Sequence, residues 1–146
     1  MDIKEFEDKI GYEFSDKYLL RRALTSKDFA EKQKQQNQDC EHQEVLGTLG
    51  DAVWKLVVTH LLTPNCETKG TLTTKRIELE KHSAQVKIAQ NLGIEQFIKM
   101  SNGERKDKNK EKILEATIEA LAGAIFLDTG KYEDTKEVIS KWFNFA

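Results

Sequence analysis

The chain has 146 residues, of which 38% are hydrophobic and 33% are charged, and this length suits one domain with one core. That composition excludes an intrinsically disordered chain. The formal net charge of -2, from 23 basic and 25 acidic residues, neither requires nor excludes a nucleic-acid partner, because a local patch counts for more than the sum.

The start of the chain lacks the basic residues and the apolar run of a secretory signal. No segment reads as both long and apolar enough to cross a bilayer. We therefore expect a cytoplasmic protein without a membrane partner.

In chain order, the apolar spacing predicts six or seven helices with short connections, and it predicts no strand. The first helix covers about 3–10 and ends at Gly11, and the second covers about 16–25. The polar run over 32–38 has no apolar spacing, so it predicts an exposed loop.

The third predicted helix, over about 41–62, is the apolar centre of the first half. Its apolar stripe recurs at three- and four-residue steps and comprises Leu46, Leu49, Val53, Leu56 and His60. Trp54 and Val58 add apolar groups on another side, which is typical of a buried central helix. Gly47 and Gly50 allow a neighbouring helix to approach closely.

The second half of the chain predicts three more helices. They cover about 72–91, 113–127 and 134–143. Gly93 is expected to cap the end of the helix over 72–91, and the helix over 113–127 is expected to end near Gly130. Between these two helices, the polar and basic stretch 102–112 predicts a connection. The whole pattern predicts an all-α architecture with one domain over 1–146.

Two pairs of carboxylates fall on the two largely apolar helices. A helix advances about 100° per residue, so Glu44 and Asp51 share one side of the third helix. Glu115 and Glu119 share one side of the helix over 113–127 in the same way. An unpaired buried carboxylate is costly, and Mg²⁺ suits such ligands. Spacing alone leaves two hypotheses open, namely ion-paired or solvated helix edges and a metal site.

Two blocks of sequence resemble the signature motifs of the ribonuclease III family. Residues 44–53, EVLGTLGDAV, resemble the motif E-x-L-E-F-L-G-D-[AS]-V, and residues 113–128 resemble the later block I-L-A-D-x-x-E-A-L-I-G-A-I-Y-L-D. Shorter matches at 20–25, 70–73 and 103–104 follow in the family's order. The resemblance implies a ribonuclease III-like endonuclease domain that acts on double-stranded RNA. It also implies a homodimer through the 41–62 helix and four carboxylates per subunit that hold Mg²⁺.

The resemblance implies an incomplete metal site in this chain. Asp51 and Glu119 fall on two of the four ligand positions, whereas Gly47 and Ala116 stand at the other two. Glu44 falls on a family acidic position nearer the RNA valley. Loss of one well-placed ligand commonly costs a factor of about 10² in rate. We therefore expect weak metal binding at best and little or no cleavage.

Three other positions depart from the family pattern. Ser26 stands where the family has histidine, and Lys69 stands where it has glutamate. Thr48 replaces the aromatic residue that members press into the partner subunit, so the implied homodimer would lack that contact.

The alternative hypothesis is an active, compact endoribonuclease with a rearranged carboxylate site and Mg²⁺ as its cofactor. Glu115, next to the vacant position at Ala116, would then reach the site together with Glu119. Glu44 would join Asp51.

The polar stretch over 102–112 carries five basic residues, which are Arg105, Lys106, Lys108, Lys110 and Lys112. They predict either a solvated loop or an edge that contacts the phosphates of double-stranded or structured RNA. No double-stranded-RNA-binding domain is expected within 1–146, so binding by this domain alone should be weak and salt-sensitive. A third hypothesis is a protein-interaction module that does not bind RNA.

Overall fold

The computed structural model describes residues 1–143, and these residues form nine α-helices and no strand. In chain order the helices are α1 (Ile3–Ile10), α2 (Lys17–Ala23), α3 (Lys27–Gln35), α4 (Glu44–Leu62), α5 (Lys69–Glu80), α6 (His82–Leu92), α7 (Asn102–Lys106), α8 (Glu111–Thr129) and α9 (Tyr132–Trp142). Gly93 and Gly130 end α6 and α8 in the left-handed conformation, as predicted. The all-α prediction is confirmed.

Helices α4 and α8 form the centre of the core, where their backbones touch. A Cβ atom on Gly50 would lie 1.6 Å from the carbonyl oxygen of Glu119, and one on Gly123 would lie 2.2 Å from the carbonyl oxygen of Leu46. Gly50 therefore permits the close approach that was predicted. Gly47 does not take part in it, because a Cβ there would have only one neighbour, 4.0 Å away.

The buried side of α4 differs from the predicted apolar stripe. Leu46 and Val53 are buried, but Leu56 is 55% exposed and His60 is also exposed. The buried face continues instead through Trp54, Val57 and Val58. Because α4 is apolar on several sides, periodicity alone cannot identify the side that α8 covers.

Helix α4 also corrects the expectation about membrane-spanning length. The segment Glu44–Asn65 is long and apolar enough to cross a bilayer by length and composition, with a mean hydropathy of 1.3. In the fold this helix packs at the centre against α8, and further contacts come from α5 and α9. The central helix of a core meets the same criterion of length and composition, because a core helix, like a membrane-spanning one, is apolar on several sides.

Helix α3 occupies part of the segment that was predicted to be a loop. The hydroxyl of Ser26 accepts a hydrogen bond of 3.0 Å from the Phe29 amide and so caps its start. Only Ala30 is buried on this helix. Lysine, glutamate and glutamine favour helices by intrinsic propensity, so the helix forms without the apolar spacing on which the prediction relied.

Two further differences bring the number of helices from the predicted six or seven to nine. The predicted helix over 72–91 is interrupted at Lys81, whose backbone is extended between α5 and α6. Helix α7 occupies the start of the predicted connection, where Ser101 and Glu104 form a capping box.

Candidate carboxylate site and adjoining cleft

A surface cavity of about 400 Å³ lies beside the crossing of α4 and α8. Its lining residues are Gln43, Glu44, Gly47, Thr48, Asp51, Ala116 and Glu119. The structure thus brings together all four positions that the resemblance implies as ligands, namely the carboxylates Asp51 and Glu119 and the residues Gly47 and Ala116. The glycine and the alanine leave open space where the resemblance implies carboxylates.

Asp51 has a cationic partner on its own helix. The Nζ atom of Lys55 lies 3.1 Å from Oδ2 of Asp51, and both side chains are about half exposed. An exposed pair one helical turn apart contributes only about 0.3–0.5 kcal/mol to stability. The pair therefore matters more for the charge of the cavity than for the fold.

Glu119 is half-buried and titrates unusually. Its pKa is raised from the ordinary 4.5 to about 7, first by burial and then by the negative charge of Asp51, while the positive charge of Lys55 opposes the rise. The folded protein thus holds this proton more tightly than the unfolded chain does. Ionisation of Glu119 consequently costs folding stability, and the loss develops as the pH rises from about 4.5 to about 7.

The donors of this cavity do not fit a two-ion magnesium centre. Hydrolysis with two metal ions requires carboxylates that fix both ions around the attacking and leaving oxygens. Here two carboxylates stand at the four positions that the resemblance implies as ligands, and Asp51 is already paired with Lys55. Within residues 1–143, no three histidine, cysteine, aspartate or glutamate side chains form a group that could hold a metal.

Glu115 lies outside the cavity, on the side of α8 that faces α6. Its carboxylate contacts Nδ1 of His82, and the carboxylate of Glu111 lies 3.3 Å from Nε2 of the same ring. One residue along a helix turns a side chain by about 100°. This rotation separates Glu115 from the vacant position at Ala116, so the structure does not bring Glu115 and Glu119 together in the cavity.

Glu44 lies where the cavity opens into a second cleft of about 540 Å³. Gln43, Glu44 and Ala116 line both spaces. The carboxylate of Glu44 has a partner in Lys27, whose Nζ lies 3.7 Å from Oε1. Glu44 therefore shares the cavity with Asp51 and makes its ion pair on the cleft side.

Two of the five predicted basic residues, Lys110 and Lys112, line this cleft together with Lys27. The other three, Arg105, Lys106 and Lys108, are exposed outside it. Carboxylates also line the cleft, namely Asp28, Glu31, Glu44, Glu104 and Asp107. The cleft therefore has both charges.

Sequence reasoning missed Gln43, a buried polar residue between the two spaces. Its Nε2 donates to the carbonyl of Ala23 at 2.8 Å and to Oγ1 of Thr117 at 3.1 Å. The Thr117 hydroxyl donates to the carbonyl of Ile113, so it must accept from Gln43, and this order fixes the amide orientation. The bonds tie the start of α4 to α8. The only indication of this role in the sequence was that Gln43 directly precedes Glu44.

Comparison with known proteins places this geometry in context. A family model described as the Ribonuclease III domain matches residues 44–130, which contain both helices of the cavity. Ribonuclease 3 of Clostridium tetani is 36% identical over 150 residues, which cover 100% of this chain and 62% of that protein. Ribonuclease 3 of Acinetobacter pittii is 34% identical over 140 residues, which cover 92% of this chain and 57% of that protein. The chain spans about three-fifths of the length of these relatives.

Solved structures give the same family. The nuclease domain of ribonuclease III from Campylobacter jejuni is similar with a TM-score of 0.85 at 35% identity, over 99% of this chain and 99% of that one. That structure is described as showing flexibility in a region involved in dimer formation. A second structure of the same domain gives a TM-score of 0.83.

Proposed function

The chain belongs to the ribonuclease III family, and from this premise we propose that it binds double-stranded or structured RNA without the family's usual Mg²⁺-dependent cleavage. The composition of the cavity carries the proposal. Asp51 and Glu119 stand at two implied ligand positions, whereas Gly47 and Ala116 stand at the others. Loss of a single ligand or stabilising group commonly costs a factor of about 10² in rate, and two are missing here.

The chemical step lacks a means of activating water. In two-ion phosphodiester hydrolysis, the metal ions turn water into a nucleophile near neutral pH and stabilise the leaving oxygen. Asp51 and Glu119 provide too few ligands for both ions. Binding without cleavage is the activity that these residues support.

The RNA contact is proposed along the rim of the larger cleft. Lys110 and Lys112 line the cleft, and the neighbouring Arg105, Lys106 and Lys108 are exposed. Duplex RNA is recognised mainly through phosphates and 2′-hydroxyl groups, which lysines on a rim can contact. The carboxylates in the same cleft oppose phosphate binding, so the affinity should be weak and should fall steeply with salt.

Binding of a short RNA duplex tests this proposal, with Lys108→Gln and Lys112→Gln combined as the informative variant. Neither lysine makes an ion pair or a side-chain hydrogen bond within residues 1–143, so the change removes charge without breaking the fold. The expected result is about tenfold weaker binding at low salt and a smaller slope of affinity against salt. A control that combines Lys4→Gln with Lys87→Gln, both exposed and outside the cleft, should bind like the parent.

The same samples, incubated with Mg²⁺ or Mn²⁺, are expected to leave the duplex intact. Cleavage that disappears with Asp51→Asn would contradict the proposed inactivity and favour the active, rearranged enzyme. Failure to bind any duplex at low salt would contradict the RNA proposal and leave a protein-interaction module.

The proposal includes a homodimer through the outer face of α4 and the adjoining α5. Val45 and Leu56 on α4 are 65% and 55% exposed, and Ile77 on α5 is 48% exposed. None of the residues of α5, all of which are described, is buried. Exposed apolar groups on adjacent helices are typical of an interaction site. A second copy of this chain is the proposed occupant, because the related C. jejuni domain is described with a region for dimer formation.

Sedimentation velocity tests the dimer with a matched pair of variants. The parent is expected to sediment with the mass of two chains, and Leu56→Glu is expected to sediment with the mass of one. Leu127→Glu, at a leucine of similar exposure near the end of α8, should remain dimeric. A monomeric parent, or a dimer that survives Leu56→Glu, would exclude this interface.

A further inference from the structure

Lys55 is the only lysine or arginine on α4, and it lies beside the carboxylates of the cavity. Its Nζ is 3.1 Å from Oδ2 of Asp51, and its charge also acts on Glu119. The spacing of one helical turn brings Lys55 and Asp51 onto the same side of α4. One ammonium group therefore pairs with Asp51, which shares the cavity with Glu119.

Two neighbouring carboxylates repel each other unless a cation lies nearby. A divalent ion needs several oxygen ligands before it gives up its water, and Mg²⁺ in particular dehydrates reluctantly. An ammonium group needs no such shell, since it is tethered to the chain and donates hydrogen bonds directly. With Gly47 and Ala116 at the other two positions, the cavity suits an ammonium better than a metal ion.

We propose that Lys55 is the resident cation beside this cavity, and that its ammonium group pairs with Asp51 and disfavours binding of a divalent ion there. The inference rests on the proposed function in one respect, because it treats Asp51 and Glu119 as the remainder of a metal site. A divalent ion at Asp51 would share this carboxylate with the ammonium and would be repelled by its charge. Removal of the positive charge of Lys55 at such short range should raise the affinity for a divalent ion about tenfold, even though the group is partly exposed.

Binding of Mn²⁺ to the whole chain, without RNA and at low ionic strength, tests the proposal. Electron paramagnetic resonance of unbound Mn²⁺ is the measurement. Lys55→Gln is expected to bind Mn²⁺ about tenfold more tightly than the parent. Lys87→Gln, which removes an exposed lysine of α6 that makes no ion pair within residues 1–143, should match the parent. Combining Lys55→Gln with Asp51→Asn should abolish the gain, because the shared ligand is then lost.

Three results would overturn the proposal. They are an unchanged or undetectable Mn²⁺ affinity in Lys55→Gln, an equal gain in Lys87→Gln, and a gain that persists in the presence of Asp51→Asn. Circular dichroism of each variant checks the fold, which a change at a half-exposed lysine should leave intact. The readout involves no RNA, so a negative result here leaves duplex binding and the lack of cleavage standing, and failure of those leaves this result standing.

Discussion

Cleavage of duplex RNA in the presence of Mg²⁺ is the expected result when Gly47→Glu and Ala116→Asp are combined in one chain, at a rate at least about 10²-fold above the parent. Each substitution returns a carboxylate to a position that the family resemblance assigns to a metal ligand. Two ions need the full ligand set, so each single variant is expected to stay near the parent rate. The initial rate of cleavage of an end-labelled duplex at low salt is the measurement.

The structure leaves room for both new side chains. A Cβ atom on Gly47 would have the carbonyl oxygen of Ala116 as its nearest neighbour, at 4.0 Å, and both residues line the cavity. Glycine inside a helix is less favourable than glutamate by up to about 1 kcal/mol, so Gly47→Glu should not harm α4. Four carboxylates without a metal repel one another, so the double variant should melt at a higher temperature once Mg²⁺ is added.

Two controls make the cleavage result decisive. Asp51→Asn added to the double variant should remove cleavage again, because a retained ligand is lost. A double variant that folds and binds duplex like the parent, yet neither cleaves nor gains thermal stability from Mg²⁺, would contradict the assignment of the ligand positions.

The helical class and the two central helices could be predicted because α4 and α8 are long and strongly apolar. Helix α3 could not be predicted in this way, since Ala30 is its only buried residue and its local signals were the cap at Ser26 and helix propensity. The break at Lys81 was equally hidden. It is accompanied by the contacts of His82 with Glu111 and Glu115, which lie far along the chain.

The candidate site depended on the resemblance, because spacing alone cannot bring Asp51 and Glu119 together from different helices. The partners of the individual carboxylates were only partly predictable from the sequence. Helical rotation already argued against Glu115 at the cavity, but its partner His82 is remote in sequence and could not be inferred. Lys55 stands four residues after Asp51, and this visible helical spacing was a usable signal for the cation of the cavity.

Gly50→Ala is expected to have the largest effect on stability of any single added methyl group at the crossing of α4 and α8. The new Cβ would lie 1.6 Å from the carbonyl oxygen of Glu119, 2.6 Å from its carbonyl carbon and 3.0 Å from the amide nitrogen of Gly123. All three are backbone atoms, so no side chain can rotate away and the two helices must separate. Overpacking of a core typically costs about 1–3 kcal/mol. We expect a loss above that range, a large share of a typical stability of about 5–15 kcal/mol.

Gly47→Ala is the matched control, because it adds the same atom to the same helix one turn earlier with no neighbour closer than 4.0 Å. It should stabilise the chain by up to about 1 kcal/mol through helix propensity. Urea unfolding followed by circular dichroism should therefore give shifts of opposite sign. A loss below about 1 kcal/mol for Gly50→Ala would show that the helices do not cross this closely. Since the obstructed atom belongs to Glu119, separation of the helices would also widen the cavity, so the same contact that builds the core sets the distance between its carboxylates.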